Sequence, residues 1–291
     1  MSSRRFKQVD VFTRKPFFGN PVAVVLDAQD LKTEEMQRIA AWTNLSETTF
    51  VLPASSRDAD YRLRIFSPKQ ELPFAGHPTL GSAHAVIEGS FAAPHDGTLR
   101  QECLAGMIDL SVEDTAAGKR IFFKAPEARI NEVDDNHARL MQMALGLVQS
   151  FRHPPARVDV GVVWLVAELE SSEAVAALRP EMDGVRKLSM TTNAAGITVF
   201  GKSDDEVSGL HVRSFAPKLG VAEDPVCGSG NASVGAFLVH SGLVKFYGAN
   251  FIARQGMQVG RDGQVSVRVD QYAVRIGGYA ITCVDGTLRT E

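Results

Sequence analysis

The chain has three cysteines in 291 residues, Cys103, Cys227 and Cys283. An odd number without CxxC spacing argues against both a disulfide framework and a thiolate zinc site. The seven histidines are scattered. His77 and His84, seven residues apart on one predicted helix, stand about 10 Å apart along its axis and cannot share a metal. No metal is expected, and no cofactor. Runs of Lys or Arg are absent and the net charge is -3, so neither nucleic acid nor a membrane surface is expected as a partner. The opening Met-Ser-Ser-Arg-Arg-Phe-Lys breaks any apolar signal region with charge. The longest charge-free run holds too many Gly, Ser and Asn to span lipid, and a cytoplasmic location is expected.

What is present is ordinary globular composition, 44% hydrophobic and 22% charged, long enough for one large domain or two of common size. The stretch around which the rest is organised is Glu223-Asp224-Pro225-Val226-Cys227-Gly228-Ser229-Gly230-Asn231-Ala232-Ser233, followed by an apolar run. Pro225 to Val244 carries no Asp, Glu, Lys or Arg, and its side chains are mostly small, which predicts a helix buried on all sides. Amides at the start of such a helix make a place for an anionic group, with Asp224, Cys227 and Ser229 around it. The plainer alternative is a capped helix with a small buried cysteine.

Taken in order, residues 6–12 and 21–27 are β-rich and flank the turn Phe18-Gly19-Asn20-Pro21, predicting a hairpin-like pair. Thr33 is placed to cap a short helix reaching Trp42. Strands are predicted at 48–52 and 60–66, a second buried helix at 72–87 with Pro78 in its first turn, and strands at 98–104, 106–112 and 119–124. The stretch from Ala125 to Val133 reads as a crossing between halves. The second half predicts helices near 134–145 and 172–180, strands near 157–168, 196–200 and 210–215, the organising helix, and strands near 250–254, 264–269 and 272–276. Asp262-Gly263 is read as a hairpin turn.

The second half repeats the first. Asn44, Thr49, Arg64, Phe66, Pro68 and Lys69 recur as Asn193, Thr198, Arg213, Phe215, Pro217 and Lys218, each 149 residues on. After a three-residue insertion Pro73 and Gly76 recur as Pro225 and Gly228. Two copies of one α/β unit are therefore expected, with a ligand site between them where both helix N-termini converge.

Phe18-Gly19-Asn20-Pro21, Asn44-Leu45-Ser46-Glu47-Thr48, Pro73-Phe74-Ala75-Gly76-His77-Pro78-Thr79 and Glu223-Asp224-Pro225-Val226-Cys227-Gly228-Ser229 resemble, in order, the signatures of the PhzF family of phenazine-biosynthesis-like isomerases. The resemblance covers essentially the whole chain. It implies an α+β fold of two pseudo-symmetric diaminopimelate epimerase-like domains, each a curved sheet around a central buried helix. Residues 1–125 with about 277–291 would form the N-terminal domain and 126–276 the C-terminal one, with the active site in the cleft between them. It further implies a homodimer and a cofactor-independent isomerase that shifts a proton on a small carboxylate-bearing substrate. The best-known member acts so on trans-2,3-dihydro-3-hydroxyanthranilate.

Carried over by position, the family pattern implies catalytic roles for Glu47, His77 and Asp224, with Glu47 the proton-transferring acid/base. It places Gly76, Gly228, Ser229 and Cys227 at the substrate. One partly desolvated carboxylate can take a proton from carbon and return it nearby. Asn44-x-x-Glu47 also has the spacing of a capping box, a structural alternative that the strand-like Thr-Thr-Phe-Val-Leu after it weakens. The chain departs from the family at Cys227, where Thr or a similar residue is common. Related epimerases carry a cysteine in each half, but here the first-half counterpart is Ala75, which argues against a two-thiol mechanism. An epimerase using Glu47 and Cys227, and a ligand-binding protein without chemistry, are the alternatives.

Overall fold

The computed structural model describes residues 2–205, 209–270 and 273–290. The chain divides into two units, one of Met1–Lys124 with Gly277–Glu291 and one of Ala125–Ile276.

The first unit runs β1 (Ser2–Val11), β2 (Asn20–Val25), α1 (Thr33–Thr43), β3 (Thr48–Leu52), β4 (Tyr61–Phe66), β5 (Glu71–Leu72), α2 (Gly76–Glu88), β6 (Thr98–Cys103), β7 (Gly106–Thr115) and β8 (Gly118–Lys124). The second runs β9 (Arg129–Glu132), α3 (Asp135–Leu145), β10 (Ala156–Asp159), β11 (Val163–Glu168), α4 (Ser172–Ala177), α5 (Met182–Thr191), β12 (Gly196–Lys202), β13 (Leu210–Ala216) and β14 (Val221–Asp224). It continues through α6 (Gly228–His240), α7 (Val244–Tyr247), β15 (Asn250–Gln255) and β16 (Gly263–Val269). The chain leaves it in β17 (Val274–Gly278) and returns to the first unit as β18 (Ala280–Thr290), antiparallel to β1.

Each unit is mixed α+β and follows the same strand order. In the first, β2 lies parallel to β3, β3 antiparallel to β4, β4 antiparallel to β5 and parallel to β6. In the second, β11, β12, β13, β14 and β15 repeat those relations in turn. The helix ahead of β3 and the helix ahead of β12 each give way to an asparagine in the left-handed region, Asn44 at φ 55° and Asn193 at φ 50°. Asparagine tolerates that conformation better than most side chains, which accounts for its recurrence.

The central helices are α2 and α6. Alanine, glycine, serine and valine at many positions let strands approach on several sides: α2 packs on β1, β2 and β8, and α6 on β16, β10 and β11. Val234, Phe237 and Leu238 of α6 are fully buried, each contributing about 1.5–3 kcal/mol. Amphipathic helices cover the outer side. Met36 and Ala40 of α1 pack with Phe50 and Phe66, and α3, α4 and α5 pack on β11, β12 and β13.

Several local expectations are corrected. Thr33 is the first residue of α1 rather than its cap; the N-cap is Lys32, whose amide donates to Glu35 Oε2 at 2.8 Å. The helix expected at 172–180 stops at Ala177, because residues before Pro180 are driven extended, and a second helix, α5, starts where the Glu181 carboxylate accepts from the Asp183 and Gly184 amides. The stretch read as a crossing does open the second unit at Ala125, but it also holds a strand that was not expected, β9, paired with β10. Asp262-Gly263 is not a hairpin turn, since Gly263 already pairs with Gln255 at the start of β16. Glycine is needed there because any Cβ would run into the Val226 side chain. The strand expected at 272–276 begins instead at Val274, and residue 272 lies outside the described residues. Among the described residues no helix is long and apolar enough to cross a membrane.

Candidate active site

In the first unit, Asn44 ends α1 and Glu47 precedes β3, its carbonyl accepting from the Ala23 amide at 3.4 Å. Asn44 is thus a helix C-cap, and the capping-box alternative for Glu47 is excluded. His77 is the second residue of α2, after Gly76 and the N-cap Ala75. Its Nε2 lies 3.4 Å from Glu47 Oε2, with side chains only 10% and 17% exposed. Burial drives the imidazole down to about 4, although the Pro21 carbonyl beside the ring acts to raise it. His77 is therefore neutral near pH 7. The helical ladder begins with the Thr79 amide on the Ala75 carbonyl at 3.2 Å, so the Gly76 and His77 amides precede it. Gly76 has no room for a side chain, since a Cβ would stand 2.7 Å from Phe123 Cζ.

The turn Phe18-Gly19-Asn20-Pro21 acquires a purpose from this geometry. Gly19 crosses against the Val11 carbonyl, where no Cβ fits, and its amide donates to Asp10 Oδ2 at 3.0 Å. That fixes the start of β2 and so the Pro21 carbonyl that orients His77.

In the second unit, β14 ends at Asp224 and α6 begins at Gly228, with Cys227 as N-cap. Cys227 Sγ accepts from the Gly230 amide at 3.2 Å and lies 3.5 Å from Ser229 Oγ. The Asn231 amide reaches the Cys227 carbonyl at 3.1 Å, so the Gly228 and Ser229 amides precede the ladder, as Gly76 and His77 do in α2. Burial pushes the Cys227 thiol well above its usual range, and the Asp224 charge adds to this. Burial also pushes the Asp224 carboxyl up to about 6, opposed by hydrogen bonds from the Cys227 thiol and the Val226 amide, the latter at 3.1 Å.

Glu47, His77 and Gly76 thus form one cluster within the first unit, and Asp224, Cys227, Gly228 and Ser229 another within the second. Three further residues belong to the second cluster and were not read from the sequence. Gln255, on β15 and fully buried, accepts from the Cys227 amide at 3.2 Å and from Asn231 Nδ2 at 2.9 Å, and donates to the Asp224 carbonyl at 3.0 Å. Trp164, 2% exposed on β11, donates from Nε1 to Ser229 Oγ at 3.0 Å. Asn231 lies inside the motif, but its role as a clamp depends on Gln255, a residue of a different strand. Among the described residues no group of three His, Cys, Asp or Glu could hold a metal ion.

Comparison with known proteins gives one consistent picture. The sequence model of the family described as phenazine biosynthesis-like protein matches residues 9–286. Antisense-enhancing sequence 1 of Schizosaccharomyces pombe is 40% identical over 295 residues, spanning 98% of this chain and 99% of that protein. A trans-2,3-dihydro-3-hydroxyanthranilate isomerase of Pseudomonas aeruginosa is 32% identical over 286 residues, 96% of this chain and 95% of that one. Among solved structures, a phenazine biosynthesis protein of the PhzF family from Bacillus anthracis superposes over 100% of both chains, with a TM-score of 0.86 at 26% identity.

Proposed function

Because the chain belongs to the phenazine biosynthesis-like (PhzF) family, we propose that it is a cofactor-independent isomerase that moves a proton along a small carboxylate-bearing substrate, with Glu47 as the proton carrier. The observation that carries this reading is the contact between the Glu47 carboxylate and a neutral, oriented His77.

With the Pro21 carbonyl favouring a proton on the other ring nitrogen, the neutral imidazole would present a lone pair at Nε2, 3.4 Å from Glu47 Oε2. An ionised Glu47 therefore meets an acceptor in that direction. Once Glu47 takes a proton from substrate carbon, its O–H can donate to Nε2, so the pair favours the protonated intermediate state of the base. The proton is then returned to a different carbon within reach, and the substrate's charge is rearranged without loss of atoms. A substrate carboxylate would seat on first-turn amides that precede the helical ladder, Gly76 and His77 on α2 or Gly228 and Ser229 on α6. Asp224, titrating near 6, can accept from or donate to a hydroxyl or amino substituent. Burial makes the Cys227 thiol a weaker acid than usual, which disfavours the proton donation that the Glu47/Cys227 epimerase asks of it.

The test is incubation in D2O with trans-2,3-dihydro-3-hydroxyanthranilate and then with a panel of amino- and hydroxy-substituted cyclic carboxylates, followed by NMR. The isomerase reading expects a product with hydrogen on a new carbon. Inversion at one carbon with solvent deuterium in place of its proton would favour the epimerase instead. Binding of the panel without turnover would favour a ligand-binding protein.

A further inference from the structure

We propose that Trp164 is a positioning residue that aims the Ser229 hydroxyl at the anionic group of the ligand; this rests on the reading of the α6 N-terminus as a carboxylate site. An indole N–H is a donor only. At 3.0 Å it occupies a lone pair of Ser229 Oγ, which fixes the side chain and leaves the hydroxyl proton to be given elsewhere. Two acceptors compete for that proton. One is Cys227 Sγ at 3.5 Å, a weak acceptor; the other is an anion seated on the first-turn amides. The anion wins, and the chain from indole N–H through hydroxyl to carboxylate polarises in one direction.

The first unit contains the same device in different chemistry. The strand registers Val24 with Thr49 and Val166 with Thr198 align the two copies, so Pro21 matches Val163 and Val22 matches Trp164. His77 and Ser229 are each the second residue of the central helix. In one copy the strand orients that side chain through the Pro21 carbonyl, in the other through the Trp164 indole, one residue further along. An acceptor suits the histidine, which must be held in one tautomer; a donor suits the serine, which must spend its own proton on the ligand. The indole is buried, so its hydrogen bond is shielded from water.

The experiment combines calorimetry with anthranilate as the probe and 15N-edited NMR of the indoles. The chain has two tryptophans, Trp42 and Trp164, so Trp164→Phe identifies both signals. Trp164→Phe and Ser229→Ala are each expected to weaken anthranilate binding about 3- to 10-fold, and the double variant no more than Ser229→Ala alone. In Ser229→Ala the Trp164 indole signal is expected to move while that of Trp42 stays. Losses that multiply in the double variant, unchanged affinity in Trp164→Phe, or an unmoved indole signal would overturn the proposal. Should Trp164→Phe fail to fold by circular dichroism, Ser229→Ala decides alone through its affinity loss and the shift of the buried, slowly exchanging indole. Absence of anthranilate binding in the wild type would remove the ligand from the proposal and count against the carboxylate reading. It is told apart from failed positioning by the indole signal, which would still move in Ser229→Ala.

Discussion

His77 and Asp224 are shifted by the same cause in opposite directions, and their effects on stability oppose each other. His77 falls from 6.5 to about 4, so between those values the unfolded chain binds a proton that the folded one refuses, and stability is lost as pH falls. Asp224 rises from 3.8 to about 6, so in nearly the same window the folded chain keeps a proton that the unfolded one releases, and stability is lost as pH rises. Each tenfold change in proton affinity corresponds to about 1.4 kcal/mol, and partial solvation of Asp224 reduces its share. Urea unfolding between pH 4 and 7 should therefore show Asp224→Asn losing stability on acidification more steeply than the wild type, by about 1–2 kcal/mol across the window. His77→Gln should show the reverse. Profiles parallel to the wild type in both variants would contradict the assignment. Both residue types and their motif were visible in the sequence; the direction of each shift was not, because it comes from burial by distant strands.

At the scale of elements, the recurring Arg-x-Phe-x-Pro-Lys phrase was legible, and the structure supplies its reason. Arg64 lies over the Phe66 ring at 5.1 Å and Arg213 over Phe215 at 4.9 Å, each also gripping a glutamate of the next strand. The pairs are Arg64–Glu71 at 2.7 Å and Arg213–Glu223 at 2.8 Å. Their partners escaped the sequence comparison because the three-residue insertion falls between arginine and glutamate in the second copy. The two pairs differ in depth: the first has side chains 23% and 21% exposed, the second 5% and 7%. Arg213 also donates from Nη1 to the carbonyls of Val175 and Leu178 at the end of α4. Glu223→Gln should thus cost about 3–5 kcal/mol by leaving a buried guanidinium without its counter-charge, and Glu71→Gln about 1 kcal/mol or less. Equal losses in chemical denaturation would refute the difference. Among the elements missed, β5, β9, β14 and α7 are short, and β9 acquires its identity only from pairing with β10, whereas α5, ten residues long, was hidden behind the Pro180 that ends the helix before it. Gly263 was misread because a glycine after aspartate signals a turn locally, whereas here it answers to the Val226 side chain.

At the scale of the molecule, β18 pairs with β1 from Ala280 opposite Val11 to Thr290 opposite Ser2. Nothing in the local pattern of either strand announces a partner at the other end of the chain. Lys7, 5% exposed, bridges Asp285 at 2.6 Å and Glu88 at 2.9 Å. Ending the chain at Gly278 would strip one edge of β1 and remove one partner of a buried ammonium. Hydrogen exchange should then show protection lost across β1 and β2 and retained in β12 and β13, which lie in the contiguous unit Ala125–Ile276. Unchanged protection in β1 would contradict this. Turnover is likewise a property of the whole chain, and the claim that Glu47 carries the proton is tested most directly by the single-turnover rate of Glu47→Gln on the substrate found by NMR. Gln keeps the shape and much of the hydrogen bonding but cannot take a proton. The rate should fall about 10²- to 10⁴-fold or more with anthranilate affinity and thermal stability nearly unchanged, while Cys227→Ser costs little. A near wild-type rate in Glu47→Gln, or silence in Cys227→Ser alone, would contradict it.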